Sequence, residues 1–210
     1  MPRGIFIAIE GIDGAGKNTI AEAIVQNLSA LYDHFVITEE PTNLPTGRRI
    51  REILDGKTPP PPNGIAFQQL FVEDRREHLA EMIQPTLARG TNVLSVRYWL
   101  STLAYGMLEG ALDQYLELHR AIIGTEMVVP DLTILLDLPA AEGLQRIGRQ
   151  GREFDWFAKL DTLTKIRENY LTLTRRSDLG RIIVIDATMP KDTVSRHVCS
   201  AIEAQLGETA

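Results

Sequence analysis

Five short apolar runs punctuate the chain, at Ile5–Ile9, Phe35–Thr38, Val93–Val96, Leu132–Leu138 and Arg181–Ile185. None alternates cleanly between apolar and polar positions, which is the pattern of strands buried on both faces in a parallel sheet. Helical periodicity fills the intervals. Ile20, Ile24, Leu28 and Leu31 make one stripe; Phe67, Leu70 and Phe71 lie on the next helix, with Leu79 and Ile83 further along it. Further helices are predicted over Trp99–Leu108, Leu112–Ile123, Ala140–Arg149, Leu160–Leu173 and Lys191–Leu206. Strands alternating with helices predict a doubly wound α/β fold, a five-stranded parallel sheet with helices on both faces. Such a sheet binds ligands beyond the carboxyl ends of its strands. The residues that follow each strand are therefore where the chemistry is sought.

Composition narrows the class without changing this picture. The 210 residues suit one domain, 1–210, and 44% hydrophobic with 24% charged residues is ordinary for a soluble globule. A net charge of −6 argues against general binding to nucleic acid or an anionic membrane, so an anionic ligand needs a local cluster of cations. One cysteine, Cys199, excludes an internal disulfide framework; it sits in a helical pattern as a small core residue rather than a nucleophile. No apolar run is long enough to span a bilayer, and the N-terminus enters a strand too soon to hold a signal peptide, so a cytoplasmic location is expected. Pro59 to Pro62, followed by Asn63-Gly64, reads as a stiff surface connection between two helices.

The first strand leads into Gly11-Ile12-Asp13-Gly14-Ala15-Gly16-Lys17-Asn18-Thr19 and then into a helix. This is the strand, glycine-rich turn and helix of a phosphate-binding P-loop. The glycines let the backbone curl until several N–H groups face one anion, and the helix dipole adds positive potential at the same spot. Lys17 then reaches the outer phosphates. Asn18 departs from the pattern, which places a Ser or Thr magnesium ligand there.

Cations recur after the other strands. Arg48, Arg49 and Arg51 open a basic helix beyond the second strand, and Arg97 emerges directly from the third. Phe71 and Arg75 are four apart and share a helix face, offering an aromatic plane and a guanidinium fork to a flat, hydrogen-bonding base. Taken alone, Phe71 reads as core and Arg75 as half of an ion pair, and His78 as a surface or packing histidine. Arg146, Arg149 and Arg152, with Gly148 and Gly151 between them, read either as solvated surface or as a mobile lid at about 146–156 that closes over polyphosphate.

The Glu10–Thr19 loop, the Phe71–Arg75 helix, the Arg97-Tyr98…Ser101…Ala104-Tyr105 segment, Pro130-Asp131-Leu132 and the Ile185-Asp186-Ala187 turn together resemble bacterial thymidylate kinases. The resemblance runs over almost the whole chain in the family's order. It implies a P-loop kinase, commonly a homodimer, that makes dTDP from dTMP with ATP and Mg²⁺, a step toward dTTP. It assigns Gly11 to Thr19 to the ATP phosphates and Asn18 to the metal. Asp13 would lie near the deoxyribose 3′-hydroxyl, Phe71 on the thymine face and Arg75 at its carbonyl. Arg97, with Arg51, would hold the dTMP phosphate, Ser101 and Thr102 would border the substrate, and Tyr105 would exclude a ribose hydroxyl. Lys17, Arg97, Arg149 and Arg152 would carry the transfer. Three departures stand out: Asn18; Val96, where the family has Asp; and Glu39 with Thr42-Asn43, where the family has Arg and Gly-Gly. The rival readings are a kinase for another nucleotide or a deoxynucleoside, and a nucleotide-binding homologue with little turnover.

Overall fold

The computed structural model describes residues 3–28, 35–149, 157 and 159–208. Five strands, β1 (Phe6–Glu10), β2 (Phe35–Glu39), β3 (Asn92–Val96), β4 (Leu132–Asp137) and β5 (Ile182–Asp186), form one sheet of order β2-β3-β1-β4-β5, with every neighbour parallel. Each lies within a residue or so of its expected run. Every residue of β1 and β3 is buried, as complete cover of both faces requires. The two edge strands depart from the expectation of double burial. Ile37 on β2 and Val184 on β5 are 42% and 43% exposed, because an edge has one neighbour and incomplete helix cover.

The helices are α1 (Lys17–Leu28), α2 (Pro45–Leu54), α3 (Gly64–His78), α4 (Gln84–Ala88), α5 (Trp99–Gly106), α6 (Leu112–Ile122), α7 (Ala140–Arg149), α8 (Leu160–Leu173) and α9 (Lys191–Glu208). The basic segment after β2 becomes helical earlier than Gly47, because Pro45 presets the first helical φ. Asn63 caps α3 by accepting the Ala66 N–H at 2.9 Å, so the proline run ends at a defined helix start. Leu79 and Ile83 do continue the α3 line, through a π turn at Leu79–Ile83 that leads into α4.

α1 packs on α9, while α3 meets α5 and α6, and α5 meets α8. Cys199 is buried in the main core, and Ile50, Ile53, Phe67 and Leu70 make a smaller core joining α2 to α3. Leu31 of the expected first stripe lies outside the described residues. Among the described residues no helix is long and apolar enough to cross a membrane.

Candidate active site

The loop between β1 and α1 adopts a backbone that only its glycines tolerate. Gly11, Gly14 and Gly16 have φ of 143°, 83° and 89°. A Cβ on Gly11 would fall 2.6 Å from the Leu136 carbonyl oxygen, and one on Gly14 would fall 2.4 Å from that of Gly143. The loop is thus wedged between the end of β4 and the start of α7. Lys17 curls over it and donates from Nζ to the carbonyls of Gly11 at 3.0 Å and Ile12 at 2.8 Å, 3.9 Å from Asp13.

Arg97 leaves β3 with φ 65°, in the left-handed region that a long side chain rarely adopts. Its N–H donates to the Ile9 carbonyl of β1 at 2.8 Å, and Ser95 Oγ of its own strand donates to its carbonyl at 2.7 Å, so both hold the turn. The guanidinium then bonds Asp13, Ser101 Oγ (3.2 Å) and Tyr105 Oη (3.3 Å), and lies 5.4 Å over the Tyr105 ring. The Tyr105 hydroxyl donates onward to Asp13 Oδ2 at 3.0 Å. Burial alone would push the Asp13 carboxyl up. The charges of Arg97 and Lys17, with the Tyr105 bond, outweigh it and hold the pKa at about 2. Asp13 is therefore ionised at neutral pH.

Arg97 shares the lining of a cavity with Phe71 and Arg75, and with Thr102 and Tyr98. Phe71 meets Phe67 edge-on, with ring centroids 5.2 Å apart. Arg75 is only 1% exposed, and its charge has a partner: Nη2 donates to Glu40 Oε2 at 2.5 Å. Nη1 donates to Thr102 Oγ1 at 3.2 Å and to His119 Nε2 at 2.8 Å. Arg75 Nε has no partner among the described residues. Glu40 also accepts from His78 Nδ1 at 3.0 Å, and Thr38 Oγ1 lies 2.7 Å from His78 Nε2. His78 is thus no surface residue: it is fully buried and steadies the carboxylate that neutralises Arg75. Burial would raise the Glu40 pKa, but the adjacent Arg75 charge and His78 hold it below the usual carboxylate value.

A second cleft also borders the phosphate loop. Gly14, Ala15, Gly16 and Thr19 face Arg146, Arg149, Ala187 and Lys191 across it. Arg146 is held there by Glu142 at 2.5 Å and by the Ala187 carbonyl at 2.9 Å. The loop is therefore a wall shared by two clefts, with Asp13 lining one and Gly14 the other.

The remaining expected positions fall less centrally. Arg51 is partly exposed, donates to Glu39 at 2.8 Å and to the Pro41 carbonyl, and does not line the cavity. Asn18 is exposed at the start of α1, and Val96 is buried in β3. Arg152 lies outside the described residues, as do Glu153 and Asp155. The residues that the sequence pattern did not single out are Glu10, Glu40, His119 and Tyr170. Glu10 and Glu40 carried a legible signal, a carboxylate at the end of a strand or one residue beyond it. His119 and Tyr170 carried none, because each sits at an unremarkable position of a helix distant in sequence.

A glycine-rich phosphate loop at the centre of a β2-β3-β1-β4-β5 parallel sheet, flanked by two clefts, defines a P-loop kinase of the type that acts on nucleoside monophosphates. The thymidylate kinase family model matches residues 9–198. The chain is 37% identical over 203 residues to a "probable thymidylate kinase" of Methanosarcina mazei, covering 95% of this chain and 96% of that protein. It is 36% identical over 209 residues to a thymidylate kinase of Xanthomonas oryzae pv. oryzae (99% and 86% covered) and 38% identical over 217 residues to one of Desulfovibrio desulfuricans (96% and 96%). The chain belongs to the thymidylate kinase family and is an enzyme of that class.

Proposed function

We propose that this enzyme transfers the γ-phosphoryl group of ATP to the phosphate of dTMP, giving dTDP and ADP, with the two nucleotides entering by the two clefts that border the phosphate loop. The observation that carries this reading is Arg75: a buried guanidinium with its charge neutralised and Nε still unpartnered, lining a cavity beside Phe71. An arginine has only donors to offer, so it suits the carbonyl of thymine rather than an amino group. Phe71 covers the base, Thr102 borders its edge, and Tyr105 stands where a ribose 2′-hydroxyl would collide.

The dTMP phosphate oxygen attacks the γ-phosphorus, forming one P–O bond as the bond to the β-phosphate oxygen breaks. Such a transfer requires alignment and charge cancellation more than covalent help. Arg97 binds the acceptor phosphate, assisted by Ser101 and, after release from Glu39, by Arg51. The amides of Gly11 to Thr19 cradle the ATP phosphates, and Lys17 leaves the Gly11 and Ile12 carbonyls to join them. Arg149, with Arg152, closes over the polyphosphate as a lid, and Asp13 lies by the 3′-hydroxyl. The family resemblance supports a cytoplasmic homodimer as the working form.

Magnesium suits the donors at this centre, though sparsely. The exposed Asn18 amide offers a hard oxygen ligand, Val96 supplies none, and no group of three His, Cys, Asp or Glu that would hold a metal occurs among the described residues. Asn18 would hold the ion together with phosphate oxygens and water, and bound there it would neutralise charge on the phosphates. Asn18→Thr should therefore lower, by a few-fold, the Mg²⁺ concentration giving half-maximal rate at fixed ATP. A titration showing an unchanged or higher requirement in the folded variant would count against Asn18 as a ligand.

The reading as a whole is tested by ADP release with a panel of acceptors and MgATP. The expected kcat/KM is highest for dTMP, with UMP and thymidine at least tenfold poorer, about the discrimination one excluded or missing group supplies. Faster turnover of UMP or thymidine overturns the assignment. Nucleotide binding without any dTDP would favour the low-turnover homologue that Asn18 and Val96 suggest.

A further inference from the structure

His119 lies outside the lining of the cavity, yet it is 4% exposed and tied to the group that faces the base. Its Nδ1 stands 2.7 Å from the carbonyl oxygen of Tyr115, one turn earlier on α6. A carbonyl only accepts, so Nδ1 carries the proton, and the ring is clipped to its own helix. That fixes the tautomer and leaves the Nε2 lone pair directed at Arg75 Nη1, 2.8 Å away. The Trp99 ring meets the imidazole edge-on, with centroids 6.1 Å apart. Burial, helped by the nearby Arg75 charge, pulls the His119 pKa down to about 3, so the ring stays a neutral acceptor throughout the working pH range.

The guanidinium is consequently held from three directions. Glu40 comes from the end of β2, Thr102 from α5 and His119 from α6. The Tyr98 ring lies 4.9 Å beneath it. An arginine side chain has several rotatable bonds, and a rigid fork reads a carbonyl only if its plane is fixed. Glu40 alone supplies charge but cannot set that plane. We propose that His119 is a positioning residue for base recognition, fixing the plane of Arg75 so that its remaining donors meet a 4-oxo pyrimidine and reject a 4-amino one. The proposal rests on the reading of the cavity as the dTMP base site.

The test is the ratio of dissociation constants for 5-methyl-dCMP and dTMP, which differ in the 4-amino or 4-oxo group and in the N3 proton that accompanies the latter, measured by calorimetry on the full-length protein. Wild type should bind dTMP more tightly. His119→Leu should reduce that preference by about tenfold, the effect of one lost buried hydrogen bond. The Kd for ATP should be unchanged. His119→Gln places an amide oxygen near the Nε2 position and should restore most of the preference. His119→Asn is too short to do so, and serves in place of leucine should that variant unfold in thermal melts. Equal weakening of both ligands in every variant would mean that His119 only supports packing, and the proposal would fall. A glutamine variant that loses as much preference as leucine would also overturn it. A wild-type protein with no preference for dTMP would instead sink the base-site reading beneath it.

Discussion

Lys17→Ala should lower kcat/KM for dTMP phosphorylation by roughly two orders of magnitude or more, comparable to the loss of another donor to transition-state charge. The side chain is buried and donates to the carbonyls of Gly11 and Ile12, within 3.9 Å of Asp13. A lysine held on its own loop is well placed to follow the phosphates once they occupy the adjacent amides. Alanine removes that mobile charge and leaves the neighbouring carboxylate less compensated. The loop itself is fixed by glycine geometry and by packing against Leu136 and Gly143, so the variant should still fold. Steady-state kinetics together with a thermal melt would settle it. A folded variant with near-normal kcat/KM would remove Lys17 from the mechanism.

The architecture was largely legible in the chain because a central parallel strand leaves a distinctive trace. Phe6–Glu10 and Asn92–Val96 are buried on both faces, and a mostly apolar run without clean alternation is the direct consequence. The edge strands have the same kind of sequence but a different environment. Nothing in Phe35–Glu39 announces that it has a single neighbour, since strand order depends on crossovers that no local pattern encodes. The phosphate loop was equally legible, because its backbone requirement falls on particular residues, Gly11, Gly14 and Gly16.

The candidate residues could be picked out by position, but their partners could not. Arg97 and Arg75 could be singled out from a strand end and a helix face. Spacing could not reveal that Arg97 is pinned to Asp13, 84 positions away, or Arg75 to Glu40 and His119 at separations of 35 and 44. Pairing across such distances follows from the tertiary fold. Arg51 shows the converse. Its place in a basic run suggested a phosphate ligand, while the Glu39 carboxylate holds it at the cavity's edge. That carboxylate stands where the resemblance would place an arginine, so a local departure alters the resting position of a neighbour without erasing its charge.

The second large effect is expected at Glu10, a residue that binds no substrate. Glu10→Ala should cost about 3 kcal/mol of unfolding free energy, as removal of a buried carboxyl group with several dependent donors does. Oε1 accepts the N–H groups of Tyr98 at 2.9 Å and Ser101 at 3.1 Å. Oε2 accepts the hydroxyls of Ser101 at 2.6 Å and Tyr170 at 3.0 Å. The start of α5 has no side-chain cap of its own at Tyr98, so a carboxylate from β1 does that work. The same bonds anchor the turn that carries Arg97, and turnover should fall along with stability.

Glu10→Gln keeps one acceptor oxygen for the two amides and lets both hydroxyls rotate to accept from its amide nitrogen, so its cost should be smaller, about 1 kcal/mol. pH supplies an independent check. Burial pushes the Glu10 pKa up despite the opposing Ser101 bond, Arg97 charge and Tyr170 bond. Above the usual carboxylate value the folded protein then binds more protons at this site than the unfolded chain, and its stability contribution falls as pH rises. Glutamine cannot titrate. The stability advantage of wild type over Glu10→Gln should therefore narrow as pH is raised from the carboxylate range toward neutrality. Denaturant unfolding of both proteins across that range measures it. A gap that widened instead would mean the folded site favours the ionised carboxylate more strongly than water does, and that burial is not the dominant influence on Glu10.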